Sequence, residues 1–145
     1  DCGCIVMHPG DPDDLNGAGG DILERVRAFF EKKTTEAEQR GVNKNRLCFD
    51  PGIGFGKTNE ENFALIANPE KIRVPGTALL MAASRKRAIG AVCGNPPFED
   101  RMAGTVAAHT ASVLFGADMV RAHDTFEAVQ AARVADAIKQ FRKGV

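Results

Sequence analysis

The chain of 145 residues, 43% hydrophobic and 26% charged, has the balance of one ordinary globular domain, and residues 1–145 are read as a single unit. Lys plus Arg equals Asp plus Glu at 19 each, so no broad electrostatic pull toward nucleic acid, anionic membrane or acidic tails is expected, and small ligands are the expected partners. No run approaches the ~18 consecutive apolar residues of a membrane span, and the first residues lack the charged-then-apolar order of a secretory signal, so a soluble, non-exported protein is expected.

In chain order, Cys4 to Met7 is a short apolar run that reads as a strand, and Pro9 to Asp14 is punctuated like a loop. From Asp21, an expected N-cap, apolar residues recur on one helical face at Ile22, Val26, Phe29 and Phe30, and Gly41 supplies the stop. The alternation repeats as a strand from Leu47 to Phe49, a Gly-rich loop to Lys57 and a helix from Asn59. A strand from Thr77 to Ala82 then leads by a turn to a helix from Lys86. Gly94-Asn95-Pro96-Pro97 breaks that run. A small-residue helix over Asp100 to Phe115, a strand over Asp118 to Ala122 and a helix from Asp124 to near Lys143 complete the order.

Four strands alternating with helices predict a parallel α/β sheet, because long, usually helical, crossovers return a chain to a parallel neighbour. Strand starts spaced by roughly 30 to 43 residues have the spacing of βα units. Four such units are half of a (β/α)8 barrel, whose usual size is about 250 residues. The chain enters a strand at once, as expected if half of a domain preceded it.

Four cysteines at 2, 4, 48 and 93 lack the paired spacing of a zinc site, and Cys2-Gly3-Cys4 is one residue short of a redox Cys-x-x-Cys. They read as free thiols of a cytoplasmic protein, with Cys48 in a buried strand.

The stretch Asp50-Pro51-Gly52-Ile53-Gly54-Phe55-Gly56-Lys57-Thr58 is the most informative, since alternate glycines permit a close backbone approach that side chains would block. A Walker A loop would need a glycine where Pro51 stands, and the G-x-G-x-G spacing fails the dinucleotide fingerprint. The stretch is either a ligand loop or a tight βα turn with a solvated Lys57. Asp50 ends its strand, so in a barrel it projects into the C-terminal mouth, where such enzymes keep their sites. There its carboxylate either takes a ligand offering adjacent ring N–H and amino groups or caps its own loop.

Ser84-Arg85-Lys86-Arg87 places three cations at the start of a helix, the wrong end for the helix dipole. This is either a solvated basic turn or a local need for positive charge, with Lys86 as the residue facing the pocket. Arg121 and His123 stand two apart at the last strand's end and face one space, either as a phosphate clamp or as a salt-bridged strand terminus. His8 could join the same mouth. His109 lies mid-helix and reads as a packing or surface residue.

The ordered motifs Asp50-Pro51-Gly52-x-Gly54-Phe55-Gly56-Lys57, Ser84-Arg85-Lys86 with Ile89-Gly90, Arg101-x-Ala103-Gly104-Thr105 and Arg121-x-His123-Asp124 resemble the signatures of the dihydropteroate synthase family. The resemblance implies the C-terminal half of a (β/α)8 TIM barrel that joins a pterin pyrophosphate to p-aminobenzoate in folate biosynthesis. It implies that Asp50 bonds the pterin ring and that Lys86 binds the pterin edge beside p-aminobenzoate. Arg121 and His123 would hold the pyrophosphate, Phe55 would lie near the aromatic substrate and Met7 near the pterin. It further implies a cytoplasmic, sulfonamide-targeted transferase, a homo-oligomer packed through late helices that include Asp100 to Phe115, and Mg2+ assistance, with the metal's ligand outside these residues. Met7-His8-Pro9-Gly10-Asp11 departs from the family's Met-His-Met-Arg-Gly, and Ala82 stands where the family often has Gly. The rival readings are a methyltetrahydrofolate methyltransferase-type pterin domain and a non-catalytic module that binds ligand weakly. The isolated chain is expected to be inactive.

Overall fold

The computed structural model describes residues 2–10 and 20–142. Residues 11–14 of the first expected loop, and the expected helix end near Lys143, lie outside the described residues. Strands β1 (Cys4–Met7), β2 (Leu47–Asp50), β3 (Ala78–Met81) and β4 (Met119–Val120) form one parallel sheet in the order β1-β2-β3-β4. Helices α1 (Ile22–Gln39), α2 (Asn59–Ala67), α3 (Pro69–Ile72), α4 (Arg87–Val92), α5 (Met102–Leu114) and α6 (Thr125–Arg142) alternate with them. Every crossover returns the chain to the neighbouring strand, as a partial (β/α) barrel requires.

Local chemistry sets the helix starts. Asp21 keeps an extended backbone before α1 and its carboxylate accepts the Leu23 N–H at 2.9 Å, with Glu24 favourably placed in the first turn. Thr58 opens α2 with a capping box: its hydroxyl accepts the Glu61 N–H, and Glu61 accepts the Thr58 N–H at 2.8 Å. The same Glu61 carboxylate pairs with Arg25 of α1, fastening two helices to one cap.

Register divides the sheet into two faces. Ile5 lies opposite Cys48, Met7 opposite Asp50 and Leu80 opposite Met119, so these side chains share the face turned away from the helices. Phe49, Leu79 and Met81 point the other way, into a core with Val26, Phe30, Leu65, Ile72 and Ile89. The rings of Phe30 and Phe49 stack at 4.5 Å, and full burial of such a side chain contributes about 1.5–3 kcal/mol. On the opposite face Cys48, Leu80 and Ala82 pack together and are buried, whereas Ile5 and Met119 on the flanking strands are exposed. Exposure of large apolar side chains on this face is therefore confined to the edge strands.

Element boundaries differ from the sequence reading where side chains replace backbone partners. The last strand was expected over Asp118 to Ala122 but spans Met119–Val120. At its start the Asp118 carboxylate accepts the Leu79 N–H at 2.8 Å. The helix expected from Asp100 opens as a 3-10 turn over Phe98–Arg101 before α5. The helix from Asn59 stops at Asn68, because Pro69 lacks the N–H that continuation needs, and α3 starts afresh. Thr77 belongs to a turn, with its N–H and hydroxyl both on the Val74 carbonyl.

Candidate functional site

All four strands end at one rim, and the residues at or just beyond these ends build the site. Asp50 is 0% exposed, and its two oxygens have different partners. One accepts the Gly52 N–H at 2.8 Å; the other accepts Arg121 Nη2 at 3.0 Å. One oxygen therefore caps its own loop, as one of the sequence alternatives has it, and the other is held by Arg121.

The glycine loop is held open by specific braces. Gly52 has φ +72, and a Cβ there would sit 2.1 Å from the His8 carbonyl oxygen, so only glycine fits this crossing. Lys57, expected to be solvated if this were a plain turn, is instead 2% exposed and donates to the carbonyls of Gly52 and Phe55 at 3.2 and 3.0 Å. Asn62 of α2 accepts the Gly54 N–H at 2.7 Å and donates to the Thr58 carbonyl. Phe55 is left exposed at the rim, and Lys86 Nζ lies 4.1 Å from its ring centroid, a cation–π contact. Burial pushes the Lys86 ammonium below its ordinary value, an effect opposed by Asp50 and reinforced by Arg121.

Arg121 and His123 follow β4. With Ala82, Ser84, Lys86 and Ala122 they line a pocket of about 370 Å³. Arg121 is 55% exposed in its side chain and reaches from this pocket to Asp50. His123 holds its Nδ1 2.8 Å from Ser84 Oγ, with its ring edge-to-face with Phe98. The arrangement offers an oxyanion three basic groups and offers a ring with adjacent N–H donors a buried carboxylate.

Of the remaining sequence expectations, Met7 lies level with Asp50 on the same face, half-buried. His8 is not among the pocket's lining residues; its ring packs edge-on against Phe29 of α1, and its Nδ1 accepts the Gly10 N–H. Gly10, part of the departure from the family motif, has φ +75 and fits against the Phe55 backbone where a Cβ would lie 2.2 Å from the Phe55 oxygen. His109 is buried in α5, a packing residue.

Sequence reasoning assigned no role to Arg85, Asp124, Lys57 or Ser84. Arg85 sits at φ +54 with its N–H on Thr105 Oγ1 at 2.8 Å and its guanidinium bidentate on Asp124. Asp124, held below its ordinary carboxylate value mainly by that bond, follows His123 directly. The fold brings the two adjacent pairs together, Ser84 with His123 and Arg85 with Asp124, and no local pattern in the sequence announces either.

An acid buried at a strand end beside a basic pocket, on the C-terminal rim of a partial barrel, is the architecture of a ligand-binding barrel enzyme. A family model described as pterin binding enzyme matches residues 1–123, and the chain belongs to that family. It is similar to the dihydropteroate synthase of a Synechocystis strain, 36% identical over 137 residues that cover 92% of this chain and 47% of that protein. The solved Xanthomonas albilineans dihydropteroate synthase in complex with 7,8-dihydropteroate superposes with a TM-score of 0.85 at 34% identity, over 94% of this chain and 50% of that one. The same enzyme solved with 4-aminobenzoic acid gives 0.85 at 36% identity, over 94% and 49%. The chain spans about half the length of these proteins.

Proposed function

We propose that the chain supplies part of the active site of a dihydropteroate synthase, which condenses 6-hydroxymethyl-7,8-dihydropterin pyrophosphate with p-aminobenzoate and releases pyrophosphate. The observation that carries this reading is that Lys86, Arg121 and His123 line one mouth and that Arg121 reaches from it to the buried Asp50. The similarity to proteins of that name, one of them solved with 7,8-dihydropteroate, supports it.

In this reading Asp50 accepts from the pterin's adjacent ring N–H and amino groups, and Lys86 lies along the pterin edge with Phe55 beneath it. Met7 borders the pterin, and Phe55 the arylamine. The methylene C–O bond breaks with its electron pair leaving on pyrophosphate; the arylamine nitrogen then forms the C–N bond and loses a proton. Arg121 and His123 stabilise charge growing on the departing oxygens, and no side-chain nucleophile is needed. The described residues do not fit a resident Mg2+ site: no group of three or more His, Cys, Asp or Glu lies together among them, and both Asp50 oxygens are engaged. Metal assistance by ligands outside this chain stays part of the proposal, and none of these steps depends on it.

Cytoplasmic location and sulfonamide sensitivity complete the proposal; among the described residues no helix is long and apolar enough to cross a membrane. Homo-oligomerisation belongs to it too. α6 packs along the expected surface on α5, and an exposed apolar stripe continues on α6, at Phe126, Val129, Val134, Ile138 and Phe141.

The deciding experiment measures pyrophosphate release from the pterin pyrophosphate and p-aminobenzoate by the 145-residue protein and by a full-length protein that contains it. Release by the longer protein and ligand binding without turnover by the shorter are expected. Absence of release by the longer protein would remove the reading.

A further inference from the structure

Ser84 joins β3 to the turn before α4, buried, and its hydroxyl contacts one residue twice. It accepts the His123 backbone N–H at 3.1 Å and lies 2.8 Å from His123 Nδ1. A hydroxyl has one proton and two lone pairs. With one lone pair taken by the backbone N–H, the proton has Nδ1 as its acceptor, and no other acceptor contacts Ser84 Oγ among the described residues. Were Nδ1 protonated instead, the buried hydroxyl proton would have no partner, a penalty equivalent to a tautomer preference of about fivefold to 150-fold.

We propose that Ser84 is a positioning residue that holds neutral His123 as its Nε2–H tautomer, so that the ring presents an N–H donor to a phosphate oxygen in the mouth. The inference rests on the reading of that mouth as the pyrophosphate site. His123 Nε2 makes no hydrogen bond among the described residues, and the ring lines the pocket together with Ser84, Lys86 and Arg121. The support is rigid. Arg85 and Asp124, the residues following Ser84 and His123, are joined by a bidentate ion pair, and Phe98 packs on both the His123 ring and the Arg85 guanidinium. A ring flip that exchanged Nδ1 for carbon would break the Ser84 bond. The consequence is a donor that needs no ring protonation: a bare Nε2 lone pair would repel the anion, whereas the locked tautomer attracts it.

The 145-residue protein with 15N-labelled histidine tests this directly by two-bond proton–nitrogen correlation at alkaline pH. The native protein is expected to show the Nε2–H pattern for His123, Ser84→Thr to keep it, and Ser84→Ala to lose it. Calorimetry with inorganic pyrophosphate supplies the second readout. Ser84→Ala is expected to bind about 5- to 10-fold more weakly where the ring is neutral, a loss of one hydrogen bond. An Nδ1–H ring in the native protein, or an unchanged tautomer in Ser84→Ala, would overturn the proposal, as would an unchanged pyrophosphate affinity in Ser84→Ala. A native His123 with the expected tautomer but no response to pyrophosphate would overturn the donor role and the pyrophosphate reading of the pocket, without touching the pterin reading of Asp50.

Discussion

Arg121 Nη2 lies 3.0 Å from Asp50 Oδ2, across 71 residues of sequence, joining a largely exposed guanidinium to a fully buried carboxylate. The pair satisfies an acid that burial would otherwise leave costly. It also connects the two halves of the proposed chemistry. In the proposed reaction a pterin ring donating to Asp50 would replace the guanidinium and leave Arg121 to the departing pyrophosphate.

Asp50→Asn in an enzyme containing this chain is expected to weaken pterin binding by about fivefold to 150-fold, because the amide places a donor against ring donors and a mismatched buried polar group costs ~1–3 kcal/mol. Titration calorimetry with a phosphate-free pterin measures it. An unchanged affinity would take Asp50 out of the site.

Arg121→Ala should lower kcat as well as raise KM for the pterin pyrophosphate, since charge on the leaving group grows toward the transition state. Binding of a pterin lacking phosphate should change little. Equal losses for phosphorylated and unphosphorylated pterins would make Arg121 a structural support for Asp50. Added salt should weaken anion binding to the native pocket, because the exposed guanidinium is screened over a Debye length of ~8 Å at physiological ionic strength.

The order of elements and the rim residues were legible in the sequence because both follow from local rules. Periodicity located the core face of α1, Asp21 its start, and parallel alternation put Asp50, Lys86 and Arg121 at one end of the sheet. What was not legible came from long-range pairing. Nothing local distinguishes Lys57 stapling its own loop from a solvated lysine, or Arg85 locked on Asp124 from a basic turn residue. The shortened β4 has the same origin, since only the fold brings the Asp118 side chain to the Leu79 N–H.

Gly52→Ala tests the loop itself. The new methyl would meet the His8 carbonyl in a left-handed backbone, so the β1 and β2 ends must separate. A loss of about 1–3 kcal/mol in stability is expected by urea denaturation, from backbone strain of this kind. A native-like midpoint would mean that the close crossing relaxes without cost.

Val134 belongs to the exposed stripe on α6 and lines the groove against Val106 and Thr110 of α5. If this surface joins copies, the native protein should sediment above monomer mass at micromolar concentration, and Val134→Asp should restore the monomer by placing a charge in the contact. A monodisperse native monomer would remove homo-oligomerisation from the proposal.

Acid stability is expected to depend on His109. This side chain is 1% exposed in α5, and neither ring nitrogen has a hydrogen-bond partner among the described residues. Burial lowers its pKa from the ordinary value of 6.5, so the folded protein resists a proton that the unfolded chain accepts. For a group depressed in the folded state, the unfolded chain binds more protons below the unfolded value. Stability is therefore full above about pH 6.5 and falls as the pH drops through the interval down to the folded value. The slope from one such group is at most about 1.4 kcal/mol per pH unit. The Arg85–Asp124 pair acts in a separate window, because the Asp124 carboxyl, also depressed, loses its contribution only as the pH falls below the carboxylate range. His109→Leu is therefore expected to flatten the urea-unfolding midpoint between about pH 7.5 and about pH 5 while leaving the steeper loss at lower pH in place. If the variant kept the native slope across the upper interval, the acid sensitivity there would belong to other groups, and His109 would be a packing residue with no part in it.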